Sequence, residues 1–189
     1  EGISLREYLR RFHPLPPANC LWIARQVAEG LAALGEKGWA HCDVKPENIQ
    51  VARNGHATLC DLGLARRLTP GQKGDAALVG TPAYMAPESF TPGEARTPAA
   101  DSYGLGIVLF ELLAGRRPFP HTDAEELMAA HRMVRAPDPR TIRPDLPARI
   151  AQLVRSLLAK EPMRRPTGRE LITALVDAEI DLFEQRRVA

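Results

Sequence analysis

Apolar residues recur at Ile23, Val27, Leu31 and Leu34, a helical spacing, in a stretch that follows Pro16-Pro17 and stops at Gly38. Proline suits a first helical turn and glycine a stop, so the pattern predicts one long amphipathic helix over 18–37. Two short apolar runs come next, Ile49-Gln50-Val51-Ala52 and Ala57-Thr58-Leu59-Cys60, divided by Arg53-Asn54-Gly55-His56. Asn-Gly between such runs predicts a β-hairpin. Residues 65–100 are rich in Gly, Pro, Thr and Ala without a sustained period, which predicts a long ordered loop; a loop of that length in a compact domain is usually functional. Between Asp101 and Ala114 the apolar side chains Tyr103, Leu105, Ile107, Val108, Leu109, Phe110, Leu112 and Leu113 cover nearly every side of a helix, which predicts a helix buried all round. Further helices are predicted over Asp123–Val134, over Ala148–Leu158, and after the capping-box pattern Thr167-Gly168-Arg169-Glu170. The expected fold is mainly α (α+β), one domain over 1–189, with a small hairpin whose two ends carry the chemistry.

Composition narrows the class. The chain has 189 residues, 44% hydrophobic and 25% charged, enough to bury a core. A net charge of +2 gives no basic surface for nucleic acid and no polybasic membrane anchor, so neither partner is expected for this segment. Cys20, Cys42 and Cys60 show no CxxC or Cys/His ligand spacing, which argues against a zinc site or a disulfide scaffold and for a reducing, cytoplasmic setting. The greasiest run, Leu105–Leu113, is far shorter than the roughly 20 residues that span a bilayer, and it contains Glu111. The opening Glu1-Gly2-Ile3 has no signal-peptide pattern and reads as a cut within a longer gene, whose other parts could carry a membrane anchor. Lysine occurs only at Lys37, Lys45, Lys73 and Lys160 while Arg, Ala and Pro are plentiful, a bias that fits a GC-rich bacterial genome.

The chemistry lies on either side of the hairpin. A phosphoryl-transfer site needs a carboxylate to orient the attacking hydroxyl, a cation on the moving group and oxygen ligands for magnesium. In His41-x-Asp43-x-Lys45-x-x-Asn48, Asp43 would accept the substrate hydroxyl's hydrogen bond and Lys45 would sit against the γ-phosphate. Asn48 would present its amide oxygen to the metal. In Asp61-Leu62-Gly63, Asp61 would hold the metal that bridges the phosphates, and Gly63 would give the backbone freedom to turn.

Four segments in register, His41-Cys42-Asp43-Val44-Lys45-Pro46-Glu47-Asn48, Asp61-Leu62-Gly63, Gly80-Thr81-Pro82-Ala83-Tyr84-Met85-Ala86-Pro87-Glu88 and Asp101-Ser102-Tyr103-Gly104, together resemble the eukaryotic-type serine/threonine protein kinases, in their bacterial form. The resemblance runs from the helix beginning Ser4-Leu5-Arg6-Glu7 to the last helix and covers that family's C-terminal lobe only. It implies a kinase-like C-lobe whose N-lobe, with the glycine-rich loop and the strand lysine, is absent from these residues. It further implies ATP and Mg2+ as cofactors and a protein Ser/Thr hydroxyl as acceptor. Asp43, Lys45 and Thr81 become the catalytic group, with the Thr81 hydroxyl bridging the other two. Lys45, Glu47, Asn48, Gln50 and Asp61 fall on the nucleotide side, Asn48 and Asp61 as the metal ligands. Glu47 could also draw a basic substrate residue, or be a solvated loop acid. Glu88 would pair with Arg165, Asp101 would hold the catalytic-loop backbone, and His41 would pack below Leu62.

Two departures matter. Cys42 stands where the family has the arginine that grips a phosphorylated activation loop, and Thr69 is the one hydroxyl residue between Asp61 and Gly80. The expectation is a kinase not switched by phosphorylation of that loop. A redox reading of Cys42 lacks any feature that would make it a thiolate. Gln50 replaces the aliphatic floor under the adenine. The alternatives are a pseudokinase or truncated lobe that only binds, and a small-molecule phosphotransferase of kinase-like fold, which would lack Ala86-Pro87-Glu88 and Lys45.

Overall fold

The computed structural model describes residues 2–69, 80–94 and 97–188. Strand β1 (Gly2–Ser4) runs into helix α1 (Leu5–Phe12), which the Ser4 side chain caps by accepting from the Glu7 N–H at 3.2 Å. Helix α2 (Pro17–Glu36) matches the expected long helix, and Gly38 beyond it takes φ +76. A two-residue strand, β2 (Trp39–Ala40), leads into the His41–Asn48 segment, which ends in a single 3-10 turn, Pro46–Asn48. The predicted hairpin forms as β3 (Ile49–Ala52) and β4 (Ala57–Leu59), paired Ile49 to Leu59 and Val51 to Ala57.

The sequence pattern did not reveal the partners of these strands. β1 lies antiparallel on β3, giving a three-stranded sheet in the order β1-β3-β4, and β5 (Arg66–Arg67) pairs with β2. The predicted loop 65–100 therefore contains a short strand, and beyond it the 3-10 turns Pro82–Tyr84 and Pro87–Phe90. Residues 70–79, 95 and 96 of that loop lie outside the described residues.

The buried helix, α3 (Pro98–Ala114), starts three residues before the predicted Asp101: Thr97 caps it, its hydroxyl accepting from the Ala100 N–H, with Pro98 in the first turn. Every residue from Asp101 to Leu113 is buried. Gly115, at φ +73, closes its C-terminus in the left-handed conformation that favours glycine. Helices α4 (Ala124–Met133, capped by Asp123), α5 (Ala148–Leu157) and α6 (Gly168–Val188) follow. One apolar cluster runs from Leu5 through α2, α3 and α5 to Leu182. Among the described residues no helix is long and apolar enough to cross a membrane.

Candidate active site

The loop between β2 and β3 is fastened to the first turn of α3. Asp101 accepts from the backbone N–H of His41 (2.7 Å) and of Cys42 (2.8 Å), one bond to each carboxylate oxygen. Gly104, one turn along, lets the loop lie directly on the helix, since a Cβ there would come within 3.1 Å of the Val44 Cβ. Cys42 is held at φ +67, one of two non-glycine residues in the left-handed region among those described. Such a conformation costs about 1–3 kcal/mol and persists where surrounding bonds over-determine it. His41 is fully buried, and both ring nitrogens are used: Nδ1 accepts from the Asp43 N–H (3.3 Å) and Nε2 donates to the Cys60 carbonyl (3.0 Å). It thus joins the two motif loops. Leu62, expected above it, is 57% exposed, and the bond goes to Cys60 instead.

Asp43, 8% exposed, is bound at both oxygens. The Thr81 hydroxyl donates to Oδ1 (3.1 Å), the Asn48 Nδ2 to Oδ2 (2.9 Å), and the Lys45 ammonium lies 2.6 Å from Oδ2. Lys45 also donates to the Thr81 hydroxyl at 2.8 Å, so Thr81 bridges the pair, as the resemblance implied. Three residues within six positions and a fourth 38 away from Asp43 meet at one carboxylate.

Asn48 donates through Nδ2 to Asp43, which orients its amide oxygen away from that contact, and its carbonyl accepts from the Cys60 N–H at 2.8 Å. That bond fixes the start of the Asp61 loop beside Asn48. Asp61 is the second left-handed residue (φ +64), and its Oδ1 accepts from the Gly63 N–H at 3.0 Å. Gly63 is needed for proximity and not for an unusual φ: a Cβ there would sit 3.0 Å from the same oxygen. One carboxylate and one amide oxygen suit Mg2+, which keeps several waters and binds through few protein ligands plus substrate phosphates. Among the described residues no cluster of three or more His, Cys, Asp or Glu side chains could hold a different metal.

The remaining predicted residues divide. Gln50 is exposed on β3, opposite Ser4 and Thr58. Glu47 is turned towards α1, where the Arg6 Nε donates to it at 2.8 Å. Arg6 also donates to Glu111 (2.7 Å) and to the Tyr84 hydroxyl, which in turn donates to Glu111 at 2.7 Å. Burial works against the Arg6 charge, but hydrogen bonds to Glu47 and Glu111 outweigh it and push its pKa up. Burial, then the Glu111 carboxylate, raises the Tyr84 hydroxyl. Sequence reasoning missed Arg6, Tyr84 and Glu111 as a group. Glu111 carried a signal, because a lone acid on an otherwise apolar buried helix requires a partner.

A second ion pair anchors the segment beyond Thr81. Arg165, its side chain fully buried, grips Glu88 through two bonds of 2.6 and 2.8 Å and donates to the carbonyls of Ala99, Ala159 and Lys160. Its guanidinium lies 4.9 Å from the centre of the Tyr103 ring, and the Tyr103 hydroxyl meets His131 Nδ1 at 2.9 Å.

Residues 1–176 match the model of the protein kinase domain. The chain is 43% identical over 167 residues to the serine/threonine-protein kinase PknD of Mycobacterium tuberculosis, covering 87% of this chain and 25% of PknD. It is 37% identical over 179 residues to the serine/threonine-protein kinase PkaA of Streptomyces coelicolor (93% of this chain, 32% of PkaA). Serine/threonine-protein kinase PknE of M. tuberculosis is 37% identical over 189 residues (98% of this chain, 33% of PknE). The chain spans about a quarter to a third of the length of these relatives.

Proposed function

The chain belongs to the protein kinase domain family, and from that premise we propose that residues 1–189 are the C-terminal lobe of a serine/threonine kinase that transfers the ATP γ-phosphoryl group to a protein hydroxyl. The carrying observation is the Asp43 carboxylate, held at both oxygens by Thr81, Asn48 and Lys45. A carboxylate fixed in this way orients a serine or threonine hydroxyl and takes its proton as the oxygen attacks the γ-phosphorus and the bond to ADP breaks. Lys45, already beside Asp43, offsets the charge on the moving phosphoryl group. Magnesium held by Asn48 and Asp61 would neutralise the phosphate oxygens. Gln50 would form the floor under the adenine, and Glu47, tied to Arg6, would border the entry of the acceptor peptide.

In this reading residues 1–189 supply the substrate and metal side of the site, and a nucleotide-clamping lobe completes it. The three thiols favour a cytoplasmic setting. The anchoring of the His41–Asn48 loop by Asp101, without a guanidinium at position 42, supports an activation segment that needs no phosphate. The test is transfer of labelled phosphate from ATP to a serine-containing peptide by the full-length protein. Asp43→Asn should cut the rate by about 10²–10⁴-fold, the usual contribution of a general base, with ATP binding retained. Activity within tenfold of the parent would remove Asp43 from the role.

A further inference from the structure

His131, in the last turn of α4, is fully enclosed by the rings of Phe90, Tyr103 and Phe119, whose centres lie 5.7, 5.7 and 5.0 Å from its own. Its Nδ1 meets the Tyr103 hydroxyl at 2.9 Å. Its Nε2 has no hydrogen-bond partner, alone among the fully buried side-chain nitrogens and oxygens of the described residues. Packing does not require this atom: a buried polar group without a partner is destabilising, and an apolar ring would fill the same space without it. An orphan of this kind in an otherwise satisfied interior calls for a use. The surroundings assign the tautomer. With Nδ1 accepting from the Tyr103 O–H, the neutral ring carries its proton on Nε2. Burial, then the charges of Lys160 and Arg117, keep the ring neutral; the Ala83 backbone acts against them, as a carbonyl facing the Nε2–H does, without reaching hydrogen-bond geometry.

Ala83 is the middle residue of the 3-10 turn Pro82–Tyr84, against which α4 packs. That turn directly follows Thr81, whose hydroxyl bridges Asp43 and Lys45, and Tyr84 and Met85 line one cavity with Asp43 and Thr81. A peptide that offers its hydroxyl to Asp43 therefore lays its neighbouring residues beside this turn. Helix α4 is itself firmly set: the Lys160 ammonium donates to the His131 carbonyl at 2.6 Å, and Arg132 donates to the Phe90 carbonyl at 3.0 Å. We propose that His131 is a positioning residue for the acceptor: its Nε2–H closes onto the Ala83 carbonyl and so seats the Pro82–Tyr84 turn where the residues flanking the acceptor hydroxyl rest. The inference rests on the phosphotransfer reading. A bond that closes as the acceptor is seated adds to acceptor binding and not to ATP binding, because only the acceptor distinguishes the two positions of the turn.

The test is steady-state kinetics of the full-length protein with ATP and a serine peptide, each varied in turn. His131→Phe keeps the ring and removes the donor; it should raise KM for the peptide about fivefold, the worth of one hydrogen bond, with KM for ATP and kcat within about twofold. His131→Gln carries an amide N–H to the same point and should return the peptide KM to within about twofold of the parent. Phe119→Leu loosens the packing around the ring but leaves the donor; it should lower the melting temperature and leave the peptide KM unchanged. A merely structural His131 would instead lower the active fraction, and hence kcat, with neither KM moved and no rescue by glutamine. The parent itself gives a second readout: with 15N-labelled histidine, the ring N–H signal that His131→Gln removes should move to lower field when peptide is added. An unmoved signal, or a peptide KM that follows melting temperature across the three variants, overturns the inference alone. A parent that phosphorylates no peptide overturns the phosphotransfer reading, and this inference with it.

Discussion

Replacing Glu88 by alanine strands a guanidinium that cannot reach water. The Arg165 side chain is 0% exposed and Glu88 only 16%, so the pair sits in a medium where a lone charge is poorly solvated. In the parent, Arg165 makes five hydrogen bonds, two to Glu88 and one each to the Ala99, Ala159 and Lys160 carbonyls. The three carbonyls and the Tyr103 ring remain after the substitution, so the charge is partly cushioned, but its only counter-ion among those contacts is gone. Breaking one side of a buried pair costs about 3–5 kcal/mol. For a folding unit of 150–250 residues each kcal/mol moves the midpoint by about 2–4 °C, so the melting transition of the domain that holds this pair, followed within the full-length protein, should fall by about 6–20 °C. Glu88→Gln keeps the shape and one acceptor and should fall between the parent and Glu88→Ala. Calorimetric and circular-dichroism melts measure both. A Glu88→Ala loss below about 1 kcal/mol, the range of exposed pairs, would refute the buried-pair reasoning.

His131 is fully buried among Phe90, Tyr103 and Phe119, and burial, then the charges of Lys160 and Arg117, lower its pKa from 6.5 to about 3. The folded state thus keeps it neutral where the unfolded chain protonates it, so stability is lost as pH falls below 6.5 towards 3. At pH 5 the loss is about 2 kcal/mol, and urea melts of His131→Phe should lack that part of the acid limb; an unchanged pH slope would refute it. Thr69→Ala and phosphatase treatment should each leave the full-length protein's kinase activity within twofold, and a severalfold fall would restore a phospho-switch. Gln50→Leu should tighten ATP binding by about fourfold, the worth of one buried methylene group, measured as KM for ATP; a weaker affinity would show that the amide contacts the nucleotide.

Features whose cause is local could be read from the sequence. Helix α2 shows its period, α3 its apolar circumference, and the β3–β4 hairpin its Asn54-Gly55 turn at Gly55 φ +81. The Asp43–Lys45–Asn48 group was legible because two, three and five positions of one loop fix its geometry. Thr97-Pro98 was a readable cap and first turn, hidden only because it was taken into the loop 65–100. Strands β1 and β5 carry too few residues for a period, and their pairing with β3 and β2 is made by chain far away in sequence. Glu111 waits for Arg6, 105 positions earlier, and Tyr84; that network exists only once α3 is buried beside α1. The left-handed backbone at Cys42 goes with a bond to Asp101, 59 positions away, whereas that at Asp61 is local, since aspartate visits this region more readily than most residues and its own side chain accepts from the Gly63 N–H. The sequence by itself determined that Asp43, Lys45 and Asn48 share one short loop, because they fall within six consecutive positions. Only the tertiary structure decided how their charges are balanced, because a buried charge is stabilised by whichever partner the packing brings to it.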